Sequence, residues 1–203
     1  ADAFVNPTRE EVLGLTNIEA NACGTPVVTF RTGGSPECII DGKNISKEHE
    51  ETKKLMGYLP EVPPLYSSFS VYEYLSCVYD IRGIKLDKKS HIYEIADITG
   101  ISEVLDRNCA NLSKGYKQRT GIAYAMLGYP DYIILDEPTS GLDPQQKHEM
   151  LEFIKRLGKN KGILLSSHIL SEIDAVCNRF VMIDKGRIVN SVAKDNLVQT
   201  HKY

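Results

Sequence analysis

The sequence predicts an α/β fold: a parallel-rich sheet covered by helices, joined to a separate helical lobe. Two observations carry that expectation. Short, continuous apolar runs such as "YIILD" and "GILLSS" alternate with helix-period segments, the pattern of strands buried on both faces. From Val71 to about Arg107, by contrast, apolar residues recur only at helical spacing.

Taken in order, "AFVNP" reads as a short strand, Thr16 to Cys23 as a helix and "PVVTF" as a second strand, the order of a parallel βαβ unit. Gly24 stands where a helix ends. A charged connector, "SKEHEETKK", leads to a strand at "LMGYL" and a Pro-rich loop, "PEVPPLYSS". The helical block follows, with "VYEYLSCVYDI", "HIYEIADI" and "ISEVLDR" as its apolar repeats. "KGYKQRTGIAYAMLG" predicts a helix opening after Ser113, "YIILD" a buried strand, "QQKHEMLEFIKRLG" an amphipathic helix and "GILLSS" another buried strand. A helix at "ILSEIDAVC", a hairpin of "RFVMID" and "GRIVNSV" around Lys185-Gly186, and a short helix at "AKDNLVQ" complete the chain. The strands at "GYL", "YIIL", "GILL" and "FVMI" are expected to share one sheet with the N-terminal βαβ unit.

Composition narrows the function. At 42% hydrophobic and 25% charged, the 203 residues can bury a core. A net charge of −3 with Lys and Arg interspersed among acids gives no basic footprint, which argues against nucleic acid as a partner. The five cysteines, Cys23, Cys38, Cys77, Cys109 and Cys177, have no C-x-x-C spacing, so neither a zinc site nor a disulfide framework is indicated. No apolar run reaches the ~18 residues of a membrane span, the N-terminus is not a signal peptide, and a chain starting at Ala1 reads as trimmed or partial. A reducing, cytoplasmic setting is expected.

The chemistry concentrates in the second half. "YIILDEP" ends an apolar strand in two adjacent carboxylates, Asp136 and Glu137, at the kind of strand end where α/β proteins place ligands. One acid on Mg²⁺ and the next on an attacking water would suit phosphoryl transfer, although Asp-Glu-Pro is also ordinary turn chemistry. The dyad has company: "NLSKGYKQR" precedes it, "TSGLD" follows it, and "SSHIL" ends the next apolar strand.

In that order, these four motifs resemble the ATP-binding domain of ABC transporters, from about Ile39 to the C-terminus. The resemblance makes "LSKGY" the signature motif, "YIILDE" the Walker B strand, "SGLD" the D-loop and His168 the switch histidine. It implies a sheet of P-loop NTPase type with a helical subdomain at about 70–112. "LPEVPPLY" and "LSKGYKQR" look most like ATPase subunits of ABC-2 exporters. It further implies Glu137 and His168 as catalytic residues, Asp136 and Glu61 as ligands of Mg²⁺, and Ser113, Lys114, Gly115, Asp143 and Glu61 as contacts to ATP. Glu61 stands where most of the family has Gln, and a carboxylate still offers oxygens to a hard cation. Ser113 is also a good helix N-cap, and His168 alone would more often be structural. The implied partners are a second ATPase subunit and a membrane permease, with the chain at the inner face of the membrane.

The phosphate loop of that family, G-x-x-x-x-G-K-[ST], does not occur in these 203 residues. Gly34 and Gly42 are separated by seven residues instead of four, Pro36 removes an amide, and Asn44 stands in place of Ser or Thr. The other Gly-Lys pair, Gly158-Lys159, is followed by Asn160. Instead, residues 1–44 resemble the donor-nucleotide region of retaining GT-B glycosyltransferases, whose E-x7-E motif falls on Glu11 and Glu19. That resemblance implies donor-sugar contact by Glu11 and ribose contact by Glu19, while Thr16 and Glu19 also form a capping box needing no ligand. The chain is therefore expected to be a chimera of a glycosyltransferase-like βαβ fragment (1–44) and an ABC ATPase-like domain (45–203), impaired alone without its phosphate loop. "IIDGKN" fits both families and marks the seam, with Gly42-Lys43 read as a turn.

Overall fold

A computed structural model describes the backbone of four short strands and the segments 54–184 and 187–194. The short strands are β1 (Phe4–Asn6), β2 (Val27–Thr29), β3 (Ile39–Ile40) and β4 (Lys43–Asn44). β1 and β2 pair in parallel, in line with a βαβ unit, while the helix expected at Thr16 to Cys23 lies outside the described residues. β3 and β4 pair antiparallel with Ile40 opposite Lys43, so Lys43 is a strand residue here rather than part of a turn.

The main sheet has three parallel strands in the order β5 (Met56–Leu59), β6 (Tyr132–Asp136) and β7 (Gly162–Ser166). Central β6 buries Ile133 and Leu135 completely, which explains its unbroken apolar run. The expectation of one larger sheet is corrected among the described residues. β1–β2 form a separate pair, and β8 (Arg179–Asp184) joins β9 (Arg187–Ala193) in a two-stranded hairpin. The hairpin itself was expected, but the continuous apolar run "FVMI" suits such a ribbon as well as a place in the sheet, and the structure gives it only the ribbon.

The helical lobe is built from α1 (Val71–Ile81), α2 (Lys88–Thr99) and two short 3₁₀ turns, Ser102–Val104 and Cys109–Asn111. Ser70 and Glu73 close a reciprocal capping box on α1, with the Glu73 amide 3.2 Å from Ser70 Oγ. The same end is tied to the 3₁₀ segment, because the amides of Val71 and Tyr72 donate to Arg107 and Leu105 carbonyls. Gly100 ends α2 at φ +69°, a left-handed cap. Val71, Tyr74, Leu75, Val78, Ile92, Ile95 and Ala96 form the apolar interior that these helices share.

Helix α3 (Lys114–Met126) joins lobe to sheet, and it does so at backbone range. A Cβ on Gly57 of β5 would sit 2.1 Å from the Ala125 carbonyl oxygen, and one on Gly121 would sit 2.4 Å from Leu59 Cδ1. Glycine at both positions is what lets the helix cross the strand so closely. The remaining helices are α4 (Pro144–Leu157) and α5 (Leu170–Val176). The short helix expected from Ala193 begins beyond β9 and lies largely outside the described residues.

Candidate functional site

The site forms where β6 and β7 end together. Their register sets Asp136 opposite Ser166, so the next residues on each strand, Glu137 and the Ser167-His168 pair, emerge as neighbours. Glu137 takes φ +45°, left-handed backbone on a residue with a Cβ, which costs of order 1–3 kcal/mol unless its surroundings impose it. Here they do. The Glu137 amide donates to the Ser166 carbonyl and to Ser166 Oγ, both at 3.2 Å.

The Glu137 carboxylate is asymmetrically held. Oε1 accepts the His168 main-chain N–H at 2.9 Å and lies 2.9 Å from His168 Nδ1. Oε2 is buried and has no hydrogen-bond partner among the described residues. The Glu137 side chain is 19% exposed and the His168 ring 75%, so the pair sits at a mouth with the acid inside and the imidazole outside. An unpaired buried carboxylate oxygen is costly.

Asp136 accepts a short hydrogen bond from Ser166 Oγ. Burial first, and the nearby Asp136 carboxylate second, push the Tyr58 phenol of β5 above its ordinary range, consistent with Tyr58 donating to Asp136. Glu61 accepts from Ser140 Oγ at 3.3 Å, and the Ser140 amide in turn donates to the Glu137 carbonyl. Among the described residues no three acidic, His or Cys side chains converge to hold a metal. One or two carboxylates are what Mg²⁺ takes from a protein when nucleotide phosphates and waters fill its octahedron, so Asp136 and Glu61 fit in type while leaving most of the shell to the nucleotide.

The other sequence-predicted residues meet nearby. Ser113 caps α3 through the Tyr116 amide at 3.4 Å, so its structural role is met whatever it binds. Lys114 lies across Gly141, close enough that a Cβ there would meet its ammonium at 1.7 Å, and Gly141 has φ +65°. A Cβ on Gly115 would come within 3.5 Å of Gln146. Asp143 caps α4 by accepting the Gln146 amide at 2.9 Å. The glycine-bearing turn before α3 and the loop after β6 therefore pack against each other. Glu11 and Glu19 lie outside the described residues.

Sequence reading missed Glu172. Only 6% exposed, it accepts hydrogen bonds from Thr139 Oγ1, from Ser167 Oγ at 3.3 Å and from Lys147 Nζ at 3.1 Å. Burial alone would raise its carboxyl, but the Thr139 and Lys147 hydrogen bonds outweigh this and hold it below the ordinary range. The available signal was its register: Ile169, Glu172, Ile173 and Val176 share one helix face, so a carboxylate interrupts an apolar stripe.

A three-stranded parallel sheet with acids at a strand end, covered by helices, is an α/β fold of P-loop NTPase type. Within that class the chain belongs to the ABC transporter family, whose model matches residues 29–140. A family model described as "Glycosyl transferases group 1" matches residues 1–51, so the two overlap over 29–51, the stretch containing β3 and β4. The bacitracin transport ATP-binding protein BcrA of Bacillus licheniformis is 37% identical over 83% of this chain and 55% of its own length. The uncharacterized ABC transporter ATP-binding protein YhcH of Bacillus subtilis is 32% identical over 82% of this chain and 55% of its own. The chain thus spans about half the length of these curated relatives. Among solved structures, an ATP-binding subunit of an ABC transporter is 30% identical with a TM-score of 0.66, over 79% of this chain and 68% of its own. The fold likeness extends to cbiO1 of Clostridium perfringens at a TM-score of 0.74 and 22% identity, over 97% of this chain and 78% of that one.

Proposed function

We propose that this chain is an ATP-binding subunit fragment of an ABC-type transporter, in which the acid and switch residues act on its own nucleotide while the signature residues complete a site whose ATP is held by the phosphate loop of a second ATP-binding subunit. The observation that supports this reading best is the state of Glu137, with one oxygen locked by His168 and the other buried and free. A carboxylate at this strand end, beside the exposed His168, would accept a proton from an attacking water once the contact with His168 opens. Asp136, with Glu61 beside it in the loop after β5, would hold Mg²⁺, which when bound offsets charge on the transferring phosphoryl group. Ser113, Lys114 and Gly115 open α3, where unpaired amides and the helix dipole favour a phosphate, and the Lys114 ammonium adds a full positive charge. Asp143 keeps its loop against that turn.

His168 has two tasks to meet with one ring. A neutral ring that donates Nδ1–H to Glu137 presents Nε2 as an acceptor only, so contacting a phosphate oxygen requires a second proton or release of Glu137. A phosphate arriving at the mouth therefore competes with Glu137 for the histidine and frees the acid for water. A second subunit and a membrane permease are the partners this reading requires, at the cytoplasmic face of the membrane. Among the described residues no helix is long and apolar enough to cross a membrane.

ATP turnover measured for the chain alone, and after mixing with an intact ATP-binding subunit, tests this. Little activity is expected alone. The turnover of the chain itself should fall about a hundredfold or more in Glu137→Gln, and the partner's rate should rise on mixing in a way that Ser113→Arg abolishes. Turnover unchanged by Glu137→Gln together with a partner rate that never responds to this chain would sink the proposal.

A second reading is favoured by the glycosyltransferase match over residues 1–51 and the parallel pairing of β1 with β2. There Glu11 and Glu19 would hold a nucleotide sugar. Calorimetric titration with nucleoside diphosphates should give heat that disappears in Glu19→Ala. A flat titration removes this reading and leaves the segment as an inert scaffold.

A further inference from the structure

The Glu137–His168 contact joins two loops whose roots are paired by the β6–β7 register. A buried carboxylate beneath them ties the residues that flank the pair. Thr139 lies two residues after Glu137, Ser167 immediately precedes His168, and both hydroxyls donate to the same Glu172 oxygen, Oε2. The Thr139 side chain is almost wholly buried at 1% exposed. Ser167 Oγ also accepts the Ile169 amide at 3.1 Å, which fixes the backbone just past His168. Lys147 of α4 contacts the other oxygen, Oε1, at 3.1 Å and anchors the carboxylate from the side.

We infer that Glu172 is a positioning residue: by gathering Thr139 and Ser167 onto one oxygen, it sets the spacing at which Glu137 and His168 meet. Three donors converge on this group, from Thr139, Ser167 and Lys147. A carboxylate suits the task because it accepts from all three without presenting a donor. Glutamine keeps the shape but turns an NH₂ toward either the hydroxyls or the ammonium, and so loses one side of the junction. The inference rests on Glu137 acting on water, because the spacing matters to catalysis only if that acid does.

The test uses NMR of the His168 main-chain amide and imidazole nitrogens in the full chain, with Glu137→Gln as the reference for a lost contact and His91 as an internal control for the lobe. Thr139→Val, close to isosteric, and Glu172→Gln should each move the His168 signals toward their Glu137→Gln positions while His91 stays unchanged. In the assembled ATPase the same variants should lower kcat by about a hundredfold, the scale of a 1 Å misplacement, and leave KM for ATP within about twofold. Thr139→Val keeps the question answerable if Glu172→Gln fails to fold. His168 signals that stay at wild-type positions in a folded Thr139→Val chain overturn the inference. Because the NMR readout needs no nucleotide, shifts that move in a chain without ATPase activity count against the proposed function and not against the positioning role. Unmoved shifts in a chain whose turnover depends on Glu137 do the reverse.

Discussion

The helical lobe and the rim of the sheet are organised on opposite terms. In the lobe, Val71, Tyr74, Leu75, Ile92 and Ile95 are all but inaccessible, α1 and α2 each carry a side-chain N-cap, and α2 ends on a left-handed glycine. At the rim, Glu137 holds a strained backbone angle, one of its oxygens is unpaired, and the histidine facing it is mostly exposed. Apolar burial makes the lobe's shape insensitive to any one polar contact. The rim depends on a few hydrogen bonds converging from separate loops. Stability and function should therefore separate between the two regions, and substitutions can test how cleanly.

Leu75→Ala should have the largest effect, lowering unfolding free energy by about 2–5 kcal/mol as a cavity opens in the lobe, measured by urea denaturation. Next is Gly57→Ala, at the seam between sheet and lobe. Its added methyl meets the Ala125 carbonyl, a backbone atom that cannot rotate aside, and the expected loss is about 1–3 kcal/mol. If Gly57→Ala costs nothing, α3 does not cross β5 as closely as described. Asp143→Ala at the rim removes only the α4 cap and should cost about 1 kcal/mol. A loss as large as that of Leu75→Ala would mean that the rim carries the fold after all.

Acid should separate the regions least. His91 is buried in the lobe between Tyr79 and Tyr129, and its Nε2 accepts the Gly128 amide at 3.0 Å. Burial pushes its pKa below the ordinary imidazole range, against an opposing pull from Glu94, so the folded state prefers the neutral ring. Because the folded pKa is depressed, this contribution is complete above about pH 6.5 and is lost progressively as pH falls below it. Melting temperature followed from pH 7.5 to 5 should decline more steeply in the wild type than in His91→Gln. Equal slopes would place the acid sensitivity elsewhere.

The legibility of the two regions in the sequence differs for the same reason. Helical periodicity located α1, α2 and α3, and continuous apolar runs located β6 and β7, because each of those signals comes from neighbours along the chain. The site was legible as ordered motifs: Asp136 and Glu137 after an apolar strand, His168 after the next, Ser113 at a helix start. The hairpin of "RFVMID" with β9 was legible too, but not that it would stand apart from the sheet of β5, β6 and β7, because its continuous apolar run suits either setting. Nor was the junction at Glu172, whose partners Thr139, Lys147 and Ser167 come from three separate segments.

By itself the sequence determined which residues carry chemistry and which segments bury apolar surface, since both follow from local composition and spacing. Only the tertiary structure decided that Lys114 lies across Gly141, that Glu137 has one oxygen bound and one free, and that a single buried carboxylate joins the two loops of the rim. These contacts link residues as far apart as 33 positions, as between Thr139 and Glu172, and their geometry depends on strand register and helix crossing, which no local pattern encodes.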